Sequence, residues 1–162
     1  EPMIQSYTKV RIERVFAMPN HKTFEIKPIK ELIEQERIAG AYLDLFPYPY
    51  ERDALQYLKE LPDNSIWFML YDPPYSQRQL FEMYKNLGEN LQSNANYFKL
   101  LDNEIDRVII PKGKVIRFGW NSKRISPQFE IKRILLVNHG AAHNDTLVTV
   151  QTKIQGNLTI YE

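Results

Sequence analysis

The sequence contains no cysteine among its 162 residues. This absence excludes disulfide bonds and thiolate metal sites, and it fits a reducing compartment, so a cytoplasmic location is expected. The chain also lacks any apolar run close to the ~20 residues that a membrane-spanning helix requires. No membrane contact is therefore expected, and the first residues show no secretory signal pattern.

An excess of charge of either sign is missing as well. The 21 Lys and Arg residues nearly balance the 20 Asp and Glu residues, which leaves a formal net charge of +1. Bulk electrostatics alone would not hold nucleic acid, so any such contact needs a local patch or a separate recognition subunit. The length predicts one domain, which we place at residues 23–162 after an N-terminal arm or loop at residues 1–22.

Helical and buried-strand patterns alternate along most of the chain. Residues 8–16 are compatible with either a strand or an extended arm. The other predicted elements are helices at 27–40, 51–61, 77–92 and 96–108, and strands at 41–46, 65–71, 114–120, 129–140 and 145–154. This order predicts an α/β fold in three layers, with helices on both faces of the sheet and an antiparallel pair of terminal strands. Ligands of such sheets bind at the carboxyl ends of the strands.

The segment YDPPYSQRQ at residues 71–79 ends the most continuously apolar of these strands. Two successive prolines make a stiff turn without N–H donors. The carboxylate of Asp72 and the carbonyl of Pro73 can then face one small space as two acceptors, which suits the two donors of an amino group. Tyr75 offers a flat face for stacking a base, and Pro74 fixes the turn between them.

Asp-Pro-Pro-Tyr after an apolar strand resembles the catalytic motif of the S-adenosylmethionine-dependent amino-methyltransferases, in particular the N6-adenine DNA methyltransferases. The resemblance extends over roughly residues 14–154 and is strongest at 53–122. It implies a methyltransferase-like, Rossmann-like fold, S-adenosylmethionine as cofactor and DNA as partner, with the target adenine flipped out of the duplex. The implied catalytic residues are Asp72, Pro73, Pro74 and Tyr75.

The same resemblance implies a cofactor-binding set. The segment TFEIKPIKELI at residues 23–33 is similar to the family's Lys-Pro helix start, which lines the methionine end of the cofactor. The acid at the start of the next helix corresponds to the residue that binds the cofactor's adenine amine. The residues implied in these two roles are Phe24, Lys27, Pro28, Asp53 and Ala54.

The sequence departs from the family between residues 38 and 53, where only one strand fits and the usual glycine-bearing turn is missing. Two alignments are open. In the first, AYLDLF at residues 41–46 is the first strand, and Asp44, Leu45 and Phe46 form a degraded cofactor turn. In the second, it is the second strand, Asp44 binds the cofactor ribose, and the central strand is absent.

Candidate substrate contacts follow the strand at 114–120. Gly119 would permit close approach of a ligand, and Trp120 is either a stacking residue or a buried strand end. No separate DNA-recognition domain fits in the chain, so the loop at 121–128 would have to contact the substrate. The candidates in this region are Gly119, Trp120, Asn121, Lys123 and Arg124.

His139 and His143 are four residues apart, but no third ligand is evident and the segment resembles a hairpin connection, so no metal site is expected. The predicted function is methyl transfer to the N6 amine of adenine in DNA. Three alternatives stay open: a non-catalytic binding module with this fold, or a methyltransferase that acts on RNA or on a protein glutamine amide. A homo-oligomer is also compatible with the sequence.

Overall fold

The computed structural model describes residues 10–38, 40, 42–47, 52–74, 96–140 and 143–154. Within these ranges, the helices are α1 (Lys27–Glu36), α2 (Ala54–Glu60) and α3 (Tyr97–Val108), and a 3-10 turn spans Thr23–Glu25. The strands are β1 (Ile12–Phe16), β2 (Leu43–Asp44), β3 (Ile66–Tyr71), β4 (Ile109–Gly119), β5 (Phe129–Asn138) and β6 (Thr146–Lys153). No helix in the described ranges is long and apolar enough to cross a membrane.

The six strands form one sheet in the order β1-β5-β6-β4-β3-β2. β2, β3 and β4 are parallel neighbours, while β6 runs antiparallel to both β4 and β5. The predicted antiparallel pair of terminal strands is confirmed, but it does not lie at the edge of the sheet. β1 pairs in parallel with the outer side of β5, so residues 12–16 of the predicted arm form an edge strand.

Both faces of the sheet are covered, which confirms the three-layer α/β prediction. Alternate residues of β3 point to opposite faces, as the pleat requires. Phe68 and Leu70 pack in a cluster with the buried side of α1, whereas Met69 and Tyr71 pack in a second cluster with α2 and α3. The nearly continuous apolar sequence of β3 thus reflects burial on two sides.

Several predicted boundaries change. α1 ends at Glu36 instead of near Gly40, because Arg37 has left the helical region with ψ 126°. Of the predicted strand at 41–46, β2 covers Leu43–Asp44, and α2 covers residues 54–60 of the predicted 51–61. The predicted helix at 77–92 lies outside the described residues.

The Pro111-Lys112-Gly113 segment precedes the strand predicted at 114–120, but it lies inside β4 as a bulge. Ile66 of β3 pairs with Ile109, and Phe68 pairs with Lys114, so three extra residues of β4 bulge from the ladder. Lys112 adopts φ 68°, and an added Cβ at Gly113 would lie 2.8 Å from the backbone oxygen of Ile110. Glycine is therefore required at position 113 because the backbone approaches itself too closely for a side chain.

Replacing Gly113 with alanine is expected to destabilise the protein by about 1–3 kcal/mol, since the new methyl group must displace backbone. Lys112→Gly in the same bulge is the matched control. It relieves a left-handed residue but adds unfolded-state entropy, so we expect a change within about 0.5 kcal/mol. Urea unfolding of both variants measures the difference, and equal midpoints for Gly113→Ala and the parent would contradict the steric argument.

Candidate functional site

Two aspartates stand at the carboxyl ends of adjacent parallel strands. β2 lies directly beside β3, with Asp44 opposite Leu70, and the backbone N–H of Leu45 donates to the carbonyl of Leu70 at 3.1 Å. Asp72 follows β3 immediately at the same edge. In the described sheet, no strand intervenes between β2 and β3. Both alignments of AYLDLF allow this placement, because the second also lacks the central strand.

Asp72 as a whole residue is half-buried, and its carboxyl group lies near Thr23 of the 3-10 turn. Its pKa is raised to about 6, mainly by burial and to a smaller extent by the nearby carboxyl of Asp44, while a hydrogen bond with the side chain of Thr23 acts in the opposite direction. Burial also raises the pKa of Asp44, whose Oδ1 accepts the backbone N–H of Phe46 at 3.3 Å. Two carboxyl groups thus meet at the carboxyl ends of neighbouring strands, and no cation of the described residues contributes to the shift of either pKa.

The implied cofactor-binding residues lie around the same edge. The ring of Phe24, in the 3-10 turn, packs against buried Phe118 near the end of β4, with ring centroids 5.2 Å apart. Lys27 and Pro28 form the first turn of α1, as the resemblance implied. Lys27 is exposed and Pro28 is half-buried.

Asp53 and Ala54 form the start of α2. Asp53 is the N-cap residue, and its Oδ1 accepts both the backbone N–H of Leu55 at 3.0 Å and the hydroxyl of Tyr97 at 2.5 Å. Asp53 therefore has a structural role at the helix start in addition to the cofactor role that the resemblance implies. Ala54 is buried behind it.

A cleft of about 190 Å³, here called the proline cleft, lies beside the Asp-Pro-Pro turn. It brings Pro73 and Pro74 together with four of the five candidate substrate contacts. Its walls are formed by Tyr71, Pro73, Pro74, Phe98, Asp102, Arg117, Phe118, Gly119, Trp120, Asn121 and Lys123. Asp72 and Arg124 do not line this cleft, and Tyr75 lies outside the described residues.

The polar wall of the proline cleft centres on Asp102 of α3. Its carboxyl group lies 3.4 Å from the hydroxyl of Tyr71 and 4.0 Å from the ammonium of Lys123. Burial raises the pKa of Asp102 to about 6, although Lys123 and Arg117 act in the opposite direction. Burial and the neighbouring Asp102 also raise the pKa of Tyr71 well above its ordinary value.

Arg117 holds the turn that carries Trp120. Its guanidinium donates to both the backbone and the side-chain oxygen of Asn121 at 3.1 Å. The same side-chain oxygen accepts the backbone N–H of Lys123. The turn therefore presents the Trp120 side chain, which is 56% exposed, instead of burying it as a strand end.

A second cleft, here called the histidine cleft, has a volume of about 290 Å³ and also lies at this end of the sheet. It is lined by Pro19, Asn20, Thr23, Ile26, Trp120, His139, His143, Asn144, Asp145 and Thr146. His139 is buried, and both ring nitrogens are engaged, Nδ1 with the carbonyl of Ala17 at 2.9 Å and Nε2 with the hydroxyl of Thr146 at 2.8 Å. Among the described residues there is no group of three metal-binding side chains.

Sequence reasoning missed three residues that shape the site: Thr23, Asp102 and Arg117. Thr23 is adjacent to Phe24 in the segment that was compared with the family, but nothing in a single sequence pairs it with Asp72. Asp102 follows the buried Leu101 on α3, and Arg117 lies between the buried Ile116 and Phe118. In both cases the sequence showed a charged residue beside apolar ones, which indicates a charge at the margin of the core.

Comparisons with known proteins gave structural likenesses only. No protein-family model matches the chain, and no curated protein matches it. A candidate methyltransferase from Escherichia coli is 10% identical, with 88% of this chain and 76% of that chain covered and a TM-score of 0.43. A candidate DNA modification methylase from Thermus thermophilus is 14% identical, with 75% of this chain and 56% of that chain covered and a TM-score of 0.41.

A candidate type 11 methyltransferase from Sulfolobus solfataricus is 13% identical, with 90% of this chain and 86% of that chain covered and a TM-score of 0.41. Likenesses of this strength do not establish a function. The functional conclusion therefore depends on the residues of the site itself.

Asp72→Asn is expected to stabilise the protein at neutral pH. The folded pKa of about 6 lies above the ordinary 3.8. The contribution of this carboxyl to folding stability is therefore present at low pH and is lost as pH rises through 6. The asparagine variant does not ionise and should unfold at a higher temperature than the parent at about pH 8, with the gap closing near pH 4.

Thermal unfolding at the two pH values measures this gap. Asp63→Asn, in the exposed turn before β3 at the amino end of that strand, is the matched substitution and should not show the same pH-dependent gain. A pH-independent difference between the Asp72 variant and the parent would contradict the assignment of the raised pKa to this carboxyl.

Proposed function

We propose that this chain transfers a methyl group from S-adenosylmethionine to the N6 amine of an adenine in DNA. The observation that carries the proposal is the position of Asp72-Pro73-Pro74 at the carboxyl end of a strand covered on both faces, beside a cleft lined by Pro73, Pro74 and Trp120. The cleft is smaller than the ~300–1,000 Å³ of most drug-sized sites, which suits one flat ring system.

The chain's own residues would orient the amine and the base. Ionised Asp72 accepts one N–H of the amine, and the carbonyl of Pro73 accepts the other. These two bonds favour a pyramidal nitrogen whose lone pair points outward. The amine loses one proton as it bonds to carbon, and the Asp72 carboxylate is a suitable acceptor because its pKa is raised to about 6. Positioning supplies most of the rate.

The neighbouring carboxyl groups of Asp44 and Asp72 suit a cofactor that carries a positive charge. Asp44 and Asp72 lie close enough for Asp44 to raise the pKa of Asp72, and within the described ranges no cation contributes to the shift of either pKa. A sulfonium or ammonium group would relieve that repulsion. We infer that Phe24, Lys27, Pro28, Asp44, Asp53 and Ala54 would hold S-adenosylmethionine, which supplies a methyl group whose carbon–sulfur bond breaks with its electron pair left on sulfur.

Asp72→Ala is expected to lower the rate of methyl transfer to an adenine-containing DNA by roughly 100-fold or more, because the amine loses its orientation. Labelled methyl transfer to DNA, RNA and protein measured in parallel identifies the substrate. Asp63→Ala, at the amino end of β3, is the control and should retain the parental rate. A parental rate in the Asp72 variant would remove this residue from the mechanism.

The brevity of β2 favours a second candidate, a binding module with this fold but no catalysis. β2 has two residues, so the part of the sheet that would contact the cofactor is reduced.

A calorimetric titration with S-adenosylmethionine separates the two candidates. If the chain is a methyltransferase, we expect the cofactor to bind in the micromolar range. Asp44→Ala should weaken that binding, since a carboxylate facing the cofactor's cation is lost. Absence of binding at millimolar cofactor would favour the module.

A further inference from the structure

We propose that the histidine cleft binds the nucleobase adjacent to the target adenine on the same DNA strand. The inference rests on the proposed function, in which the proline cleft takes the target base. Both clefts open at the same end of the sheet, and Trp120 lines both of them. Bases in neighbouring nucleotides can therefore occupy the two clefts with one aromatic residue between them.

The composition of the cleft points to an uncharged, flat, polar ligand. Its described lining contains no Lys or Arg, and it includes Asp145, so it is poorly suited to a phosphate group. Asn20 and Asn144 carry amide groups, which offer both donors and acceptors as a base edge requires. The proline cleft differs, because Arg117 and Lys123 line it and could lie near the backbone between the two bases.

The side chains at the floor of the cleft are held by hydrogen bonds within the protein, whereas those at its rim can bond to a ligand. The buried ring of His139 bridges Ala17 and Thr146, and Asp145 accepts bonds from Asn138 and the backbone of His139. The side chains of His143 and Asn144, in contrast, are exposed and make no hydrogen bond with the described part of the chain. These groups can pair with a ligand at little cost, since no protein bond must break.

The cleft is also connected to the reacting centre through Thr23. Thr23 lines the cleft, and its side chain lies close enough to Asp72 to lower the pKa of that carboxyl. A base in this cleft would therefore rest against the turn that covers the Asp72 carboxyl. This arrangement makes the neighbouring base part of substrate positioning and leaves the chemistry to the Asp-Pro-Pro turn.

Fluorescence anisotropy of an end-labelled, single-stranded oligodeoxynucleotide with one adenine tests the inference without requiring catalysis. An abasic residue is placed on the 5′ or the 3′ side of the adenine. We expect one of these two substitutions to raise Kd by roughly 5- to 150-fold, the range expected for loss of one stacked base. If neither substitution changes Kd, or the parent binds no oligonucleotide, the inference is overturned.

Asn144→Ala separates the cleft from general DNA affinity. The ratio of abasic to intact Kd should become roughly 3- to 10-fold smaller in this variant, as expected for loss of one hydrogen bond. Asn103→Ala, an exposed asparagine on α3 outside both clefts, is the matched control and should keep the parental ratio. An unchanged ratio in the Asn144 variant overturns the assignment of the cleft.

Parallel methyl-transfer assays keep the two proposals distinguishable. An abasic effect on binding without any methyl transfer would support the cleft and contradict the proposed function. Methyl transfer with equal KM for the intact and both abasic oligonucleotides would support the function and contradict the cleft.

Discussion

Burial of β3 on both faces is the constraint on which the rest of this structure depends. Residues 68–71 of this strand are almost inaccessible to solvent, with α1 on one side and α2 and α3 on the other. Polar side chains therefore occur only after the strand ends, because residues 68–71 are buried on both faces. Asp72 is the first of them, and the two prolines after it prevent the backbone from continuing into a ladder or a helix. The packing of β3 thus places the site at the carboxyl ends of the parallel strands.

As a consequence, three aspartates lie near the carboxyl ends of the strands, where ionising them costs folding free energy. Asp44, Asp72 and Asp102 all have pKa values raised mainly by burial. Of the three, Asp102 has Lys123 nearby, whereas no cation in the part of the chain that the structure describes influences the pKa of Asp44 or Asp72. Such an arrangement reduces stability at neutral pH, which is common where a protein retains groups for binding or catalysis. Donors or a cation from bound molecules would provide the missing compensation.

The predictable part of the fold followed from periodicity. The alternation of helical and apolar segments predicted the layers, the Lys27-Pro28 helix start and the antiparallel pair of β5 and β6. Local patterns did not predict the bulge at Pro111-Lys112-Gly113, because Pro and Gly signal equally well a turn between elements or a break inside one. They also could not place β6 between β4 and β5, since strand order depends on which faces pack together.

The sequence by itself determined the chemical character of the site: an acid, two prolines and an aromatic residue after an apolar strand. Only the tertiary structure decided which groups surround it. Thr23 lies 49 positions from Asp72, and Asp102 contacts Tyr71 across 31 positions. The same is true of Trp120, which sequence reasoning left between stacking and burial and which the Arg117–Asn121 contacts hold exposed between two clefts. Contacts of this kind arise when separate strand ends converge at one edge, and the order of residues along the chain does not record that convergence.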